Sequence, residues 1–391
     1  MGQPPVEACS RPASAASNLK CRERATASAI EQRFMPGREG DLFEAWRAYM
    51  RAGAFEKAWR ISDQVLAERR GARCDHLPLH QRWLWDGRSV IDRPVLICCY
   101  HGLGDTIQFI RYAPLVRELA RRVEVVVQPE LQALARTVRG IDCVTADRLP
   151  AESRPGLIQV EIMELPHLFR TTLGNLPNAV PYFHVKPAAL ARAAGTRNIG
   201  LVWRAGNGWD CRRTIPAAAL APLARLSRLG GIRIHILQLC EQSSIPDGLG
   251  VMAQRDTIFD LARLMRALDL VITVDSMPAH LAGALAVPVW TLLHADADWR
   301  WMSDRLDSPW YPTMRLFRQR REGEWDWVIE QVADELRAFS PLRGPGAADG
   351  DHEKNSWRRV IGYGPRGSSS RSGRESRQGR RPATGKRARS R

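Results

Sequence analysis

Residues 269–290 read DLVITVDSMPAHLAGALAVPVW, and this stretch decides the fold. The apolar run Leu270 to Val274 makes a strand, and Val289 to Leu293 makes another. Between them Asp275 or Ser276 can cap a helix, Pro278 suits its first turn, and Ala282 and Gly283 permit close packing against a sheet. Strand, helix, strand is the unit from which parallel sheets are built. In doubly wound sheets ligands bind outside the carboxyl ends of the strands, so the loops that follow strands carry the chemistry. The helix begun at Ser276 points its N-terminus at that place, where unsatisfied N–H groups and the positive dipole end suit a phosphate or diphosphate. His280 lies about one turn in. It reads either as a satisfied structural histidine or as a contact to such a ligand.

Working outward, the same alternation recurs. Ile199 to Trp203 and Ile232 to Leu239 read as strands of this second series, which follows a connector at Pro187 to Asn198. An earlier series has strands at Pro94 to Tyr100, Val123 to Gln128 and Leu157 to Ile162, with helices at Thr106 to Ala120 and Glu130 to Val138. Two α/β domains in tandem follow, at 83–186 and 187–342, with a cleft between them as the expected site. Ahead of them Leu42, Ala45, Trp46, Tyr49 and Met50 repeat at helical spacing, Gly53 interrupts, and Phe55, Ala58, Trp59, Ile61, Val65 and Leu66 resume. That predicts a helical hairpin over 41–82, which cannot bury both faces alone and should lean on the next domain.

Two further loops follow strands. Tyr100-His101-Gly102-Leu103-Gly104-Asp105-Thr106 places Gly102 and Gly104 where backbone can approach a ligand closely. Asp105 falls at a helix start, where it can cap free N–H groups or act as a general base toward a hydroxyl. Ile107 stands where the third glycine of a dinucleotide fingerprint belongs, so that fingerprint is not met. After Trp203, Arg204, Arg212 and Arg213 supply planar donors suited to phosphate oxygens, the plain alternative being a solvated basic loop.

Of 391 residues, 44% are hydrophobic and 26% charged, which excludes wholesale disorder and fibrous rods. The net charge of +16 is mostly a tail property, since residues 343–391 hold 14 Lys/Arg against 4 Asp/Glu. That tail and residues 1–40 lack the apolar content to fold and are expected to be disordered. The tail is the one segment suited to nucleic acid or an anionic membrane surface, with Trp357 and Tyr363 available to stack. No apolar run approaches the roughly 20 residues of a membrane span. The opening Met1-Gly2-Gln3-Pro4 lacks a secretory pattern, and the 8 cysteines form no C-x-x-C pair or tight cluster. A cytoplasmic protein with neither a disulfide framework nor a zinc site is expected.

Taken together, WDG (85–87), HGLGDTIQFIRYAPL (101–115), IGLVWRAGNGWDCRRTIP (199–216), the opening stretch and DSPWYPTMRLFRQ (307–319) resemble the glycosyltransferase family 9-like, ADP-heptose:lipopolysaccharide heptosyltransferase-like domain found behind tetratricopeptide repeats in bacterial proteins. Residues 44–66, EAWRAYMRAGAFEKAWRISDQVL, resemble one such repeat. The resemblance implies a GT-B fold, with the acceptor toward the first Rossmann-like domain, the nucleotide-sugar donor on the second, and no required metal or cofactor. It implies Asp105 as the base, donor contacts from Arg212, Arg213, Asp275, Ser276 and His280, and inversion at the anomeric carbon. A glycan, lipid or protein is the implied acceptor, and the hairpin can recruit a protein partner. Where the family usually has Glu-Gln before the glycine loop, this chain has Tyr100-His101, and a non-catalytic scaffold that binds a partner protein or nucleotide is the competing reading. Trp299, Trp301, Trp310 and Tyr311 can stack on a sugar or base, or pack between the domains.

Overall fold

The computed structural model describes residues 38–74, 76–78, 82–146, 156–206, 210–238 and 245–339. The expected disordered tail, and the N-terminal segment up to residue 37, lie outside them. The described chain opens on the hairpin, α1 (Arg38–Arg51) and α2 (Phe55–Glu68). Gly53 turns between the helices at φ +72, a left-handed conformation that a side chain disfavours. Phe55, Ala58 and Trp59 of α2 are buried, as their helical spacing requires.

The first lobe runs β1 (Pro94–Cys98), α3 (Leu103–Phe109), α4 (Ala113–Leu119), β2 (Arg122–Val126), α5 (Gln132–Ala135), β3 (Cys143–Thr145), β4 (Ile158–Glu161) and α6 (Leu165–Leu168). Its sheet is parallel, in the order β3-β2-β1-β4, with Val95 level with Val123 and with Ile158. The single helix expected over 106–120 is two, α3 and α4, joined by a 3₁₀ turn at Ile110–Tyr112, and Pro114, which has no N–H to donate, sits in the first turn of α4.

The second lobe continues as β5 (Arg197–Val202), α7 (Ala221–Leu229), β6 (Ile232–Ile236), β7 (Val251–Met252), α8 (Ile258–Met265), β8 (Leu270–Val274), α9 (Met277–Ala284), β9 (Val289–Leu293), β10 (Met314–Arg318) and α10 (Trp325–Ala338). Its six strands are parallel in the order β10-β9-β8-β5-β6-β7. All five residues of β8 and of β9 are buried, which is why those strands read as continuous apolar runs. The chain is therefore α/β, two Rossmann-like parallel sheets in series behind a helical hairpin, the GT-B-like arrangement the motifs imply. Strand order reverses between β1 and β4 in the first sheet and between β5 and β8 in the second. The loops that leave β1, β5 and β8 therefore lie at switch points, where such sheets hold ligands.

The hairpin is tied to both lobes. Trp59 Nε1 donates to the Thr171 carbonyl at 2.6 Å on the first, and Arg51 pairs with Asp296 at 2.7 Å on the second. No helix among the described residues is long and apolar enough to cross a membrane.

Candidate functional site

The glycine loop after β1 lies directly on the first turn of α9. A Cβ built on Gly104 meets His280 Cδ2 at 2.9 Å, so glycine at 104 is what lets the two backbones approach. Asp105, three residues past the N-cap Gly102, uses both oxygens: Oδ2 accepts the Gly102 N–H at 3.0 Å, and Oδ1 is bound by Arg300 Nη2 from the second lobe. The local capping role and a cross-lobe role thus coincide in one carboxylate.

Arg300 is the residue sequence reasoning missed. It sits in the 3₁₀ turn Trp299–Trp301, 8% exposed, and its guanidinium also reaches Gln108 Oε1 at 2.8 Å and Asp298 Oδ1 at 2.9 Å. Burial disfavours its charge, but Asp298 and Asp105 outweigh that and hold its pKa above the ordinary arginine value. Trp299 and Phe109 flank it with their ring faces, 4.7 and 5.6 Å to the centroids. The signal in the sequence was Asp298 two residues before an arginine in an aromatic run, an acid close enough to compensate a buried cation. A reciprocal clamp runs the other way. Arg111 of the first lobe, fully enclosed, donates to the Trp310 carbonyl at 2.6 Å and to Tyr182 Oη at 3.0 Å. The aromatic side chains after α9 fill the seam: Trp301, Trp310 and Tyr311 are wholly buried, and Trp310 meets Phe109 edge-on at 5.7 Å. They pack the lobes together and have no exposed face for stacking.

Ser276 is the N-cap of α9, yet its side chain makes no cap bond; Oγ donates instead to the Val274 carbonyl at 3.2 Å. The first turn of the helix therefore keeps its dipole end without a side-chain cap. Asp275 is 6% exposed, and its carboxyl is pushed up to about 6, first by burial and then by Asp298, against the pull of Arg213. Arg213 donates to the Asp275 carbonyl at 3.2 Å and to the Asp210 carbonyl at 3.4 Å, both neutral backbone oxygens. Arg212 differs. Asp210 forks it, at 2.9 Å to Nε and 2.7 Å to Nη2, and Asp296 adds a second acid at 3.6 Å. His280 is 5% exposed; its Nδ1 meets Tyr311 Oη at 2.9 Å, the ring stacks on Trp301, and burial depresses its pKa to about 3. It stays neutral, and Gly283, whose missing side chain leaves room for the Tyr311 ring, holds that partner in place.

The structure thus brings Asp105, Gly102, Gly104, Arg213, Asp275, Ser276 and His280 to one seam, and turns Arg212 toward two acids. Among the described residues no group of three or more His, Cys, Asp or Glu is placed to hold a metal ion. Cys211, beside Arg212, is disulfide-bonded, and Cys74, Cys98, Cys99 and Cys143 are free.

No family model matches the chain. The chain is similar to Protein FlbA of Caulobacter vibrioides, 24% identical over 344 residues, 77% of this chain and 53% of that protein, so it spans about half the length of the curated relative it matches. Among solved structures it is similar to the glycosyl transferase family 9 from Veillonella parvula, at 14% identity and a TM-score of 0.47 over 64% of this chain and 98% of that one. It is likewise similar to the E. coli heptosyltransferase WaaC with ADP, at 12% identity and a TM-score of 0.46 over 63% and 99% of the two chains.

Proposed function

We propose that the protein is a glycosyltransferase that moves a sugar from a nucleotide-diphosphate donor to an acceptor hydroxyl, inverting the anomeric carbon and using no metal. The observation that carries this reading is the cross-lobe pair of Asp105 with Arg300 near the head of α9, an acid and a helix N-terminus without a side-chain cap set against each other. The donor diphosphate binds the first turn of α9 and Arg213, and draws Arg300 from Asp105. Asp105, released, takes the acceptor proton, and the acceptor oxygen attacks the anomeric carbon. The bond to the diphosphate breaks, and its electron pair leaves on a phosphate oxygen held by fixed arginines and the helix dipole. One base and one displacement give inversion. Asp275 and His280 act by holding the head of α9 rather than by reacting. The acceptor, whether glycan, lipid or protein, enters over the glycine loop.

The competing reading, a scaffold that binds a nucleotide or a partner protein without turnover, is favoured by one arrangement: Gly104 is packed on His280 and both oxygens of Asp105 are engaged. One experiment separates them. Nucleotide release from ADP-, GDP- and UDP-sugars is measured with a panel of acceptors, and donor affinity by calorimetry. Asp105→Asn is expected to lose turnover by about 100-fold or more while donor affinity stays. Unchanged turnover discards the base assignment, and binding without any release supports the scaffold.

A further inference from the structure

Three charges lead from the helical hairpin to the donor loop. Arg51 closes the last turn of α1, where its Nη2 lies 2.7 Å from Asp296 Oδ1 and donates to the Ala297 carbonyl at 2.8 Å. The other oxygen of Asp296 stands 3.6 Å from Arg212 Nη2, beyond hydrogen-bond distance, while Arg212 is already forked by Asp210. Asp296 is thus shared unequally between two arginines, one on the hairpin and one on the loop that faces the donor.

We infer that Arg51 is a positioning residue for donor binding, which by holding Asp296 at 2.7 Å keeps that carboxylate at 3.6 Å from Arg212, short of a hydrogen bond. The inference rests on the donor reading above. With Arg51 in place, the closer bond of Asp296 is to the hairpin. Without it, Asp296 closes on Arg212 to hydrogen-bond distance beside Asp210, and the loop beside Arg213 and the head of α9 becomes one charge more negative toward a diphosphate. Arg51 has room to release Asp296, since it lines a cavity of 630 Å³ between α1, Leu173 and the Met302 to Arg305 loop. The hairpin is then part of the donor site rather than an appendage to it, and what seats against α1 is felt at Arg212.

The pairs involved keep solvent contact, with 27% of the Arg51 side chain, 49% of Asp296 and 35% of Arg212 exposed, so the effect is modest. Calorimetric titration of the full chain with ADP, GDP and UDP tests it, on the wild type, Arg51→Gln, Arg51→Lys and the double variant Arg51→Gln/Asp296→Asn. Arg51→Gln is expected to weaken the best nucleotide by about two- to fivefold, Arg51→Lys to stay near the wild type, and the double variant to recover the loss. A purely structural loss is not rescued by removing Asp296. Unchanged affinity in Arg51→Gln, or a loss that Asp296→Asn leaves in place, overturns the inference while the donor reading stands. If the wild type binds none of the three nucleotides, the donor reading itself falls, and this inference with it. Should Arg51→Gln not fold, Asp296→Asn alone decides, because it is expected to bind at least as tightly as the wild type, and weaker binding refutes the role.

Discussion

Replacing Arg300 by methionine removes the cation that joins the lobes and keeps a side chain of similar length. In the wild type that cation serves Asp105, Asp298 and Gln108 at once from a position 8% exposed. Taking one partner from a buried ionic group costs about 3–5 kcal/mol, because the acids left behind lose their compensation. Solvent reduces this, since the side chains of Asp105 and Asp298 are 24% and 38% exposed, so the lower end, about 3 kcal/mol, applies. At about 2.1 cal/mol/K of unfolding entropy per residue, a chain of this size shifts by roughly 1.5–2 °C per kcal/mol, so the melting temperature should fall by about 5 °C. Asp105→Asn, which leaves Arg300 its Asp298 partner, should cost about 1 kcal/mol, and the double variant should cost less than the two single losses added. Scanning calorimetry on the four proteins reads all of this. An Arg300→Met protein that melts within 2 °C of the wild type, to within about 1 kcal/mol, would refute the argument that this arginine holds the seam.

Gly104→Ala puts a methyl group 2.9 Å from His280 Cδ2 and should cost about 1–3 kcal/mol and weaken nucleotide binding together, as read by melting and calorimetry. Glu161, whose carboxyl is pushed up to about 8 chiefly by burial, and Glu164, pushed up to about 7 for the same reason, hold protons in the folded state that the unfolded chain has released above pH 4.5. The stability this confers is present at low pH and lost as pH rises through the folded values. His280, depressed to about 3, acts in the opposite sense only below its unfolded value of 6.5, so the window from pH 6.5 to 8 isolates the carboxyls. Stability should fall across that window, by at most about 1.4 kcal/mol per pH unit for each group, the melting temperature should fall with it, and Glu161→Gln should flatten the fall. A wild-type melting temperature that rises there contradicts the burial of Glu161.

The strands β8 and β9 were legible to the residue because sheets covered on both faces leave uninterrupted apolar runs. Shorter or mixed strands were not. β3 and β7 have three and two residues, and β10 carries Arg315 and Arg318 among its apolar positions, so none shows a period. At the site, the loops were legible from glycines, a carboxylate and strand ends, which are local features. What the local pattern cannot carry is pairing across the seam. Arg212 read as a phosphate ligand, although Asp210 two residues earlier was the sign that its charge is used at home. Arg300 and Arg111 have no place in the local pattern as seam residues, because their partners across the seam lie about 190 to 200 residues away. His280 read as either a donor contact or a core histidine, and only Tyr311 and Trp301 around it show how the ring is held.

The central claim is that the head of α9 binds a diphosphate opposite Asp105. A crystal structure of the full chain with a bound nucleoside diphosphate, chosen by thermal shift among ADP, GDP and UDP, tests it most directly. The account predicts the diphosphate on the first turn of α9, in contact with Arg213 and with Arg300 turned from Asp105 toward it. A nucleotide seated elsewhere, with the Asp105 and Arg300 pair undisturbed and the head of α9 covered, would contradict it.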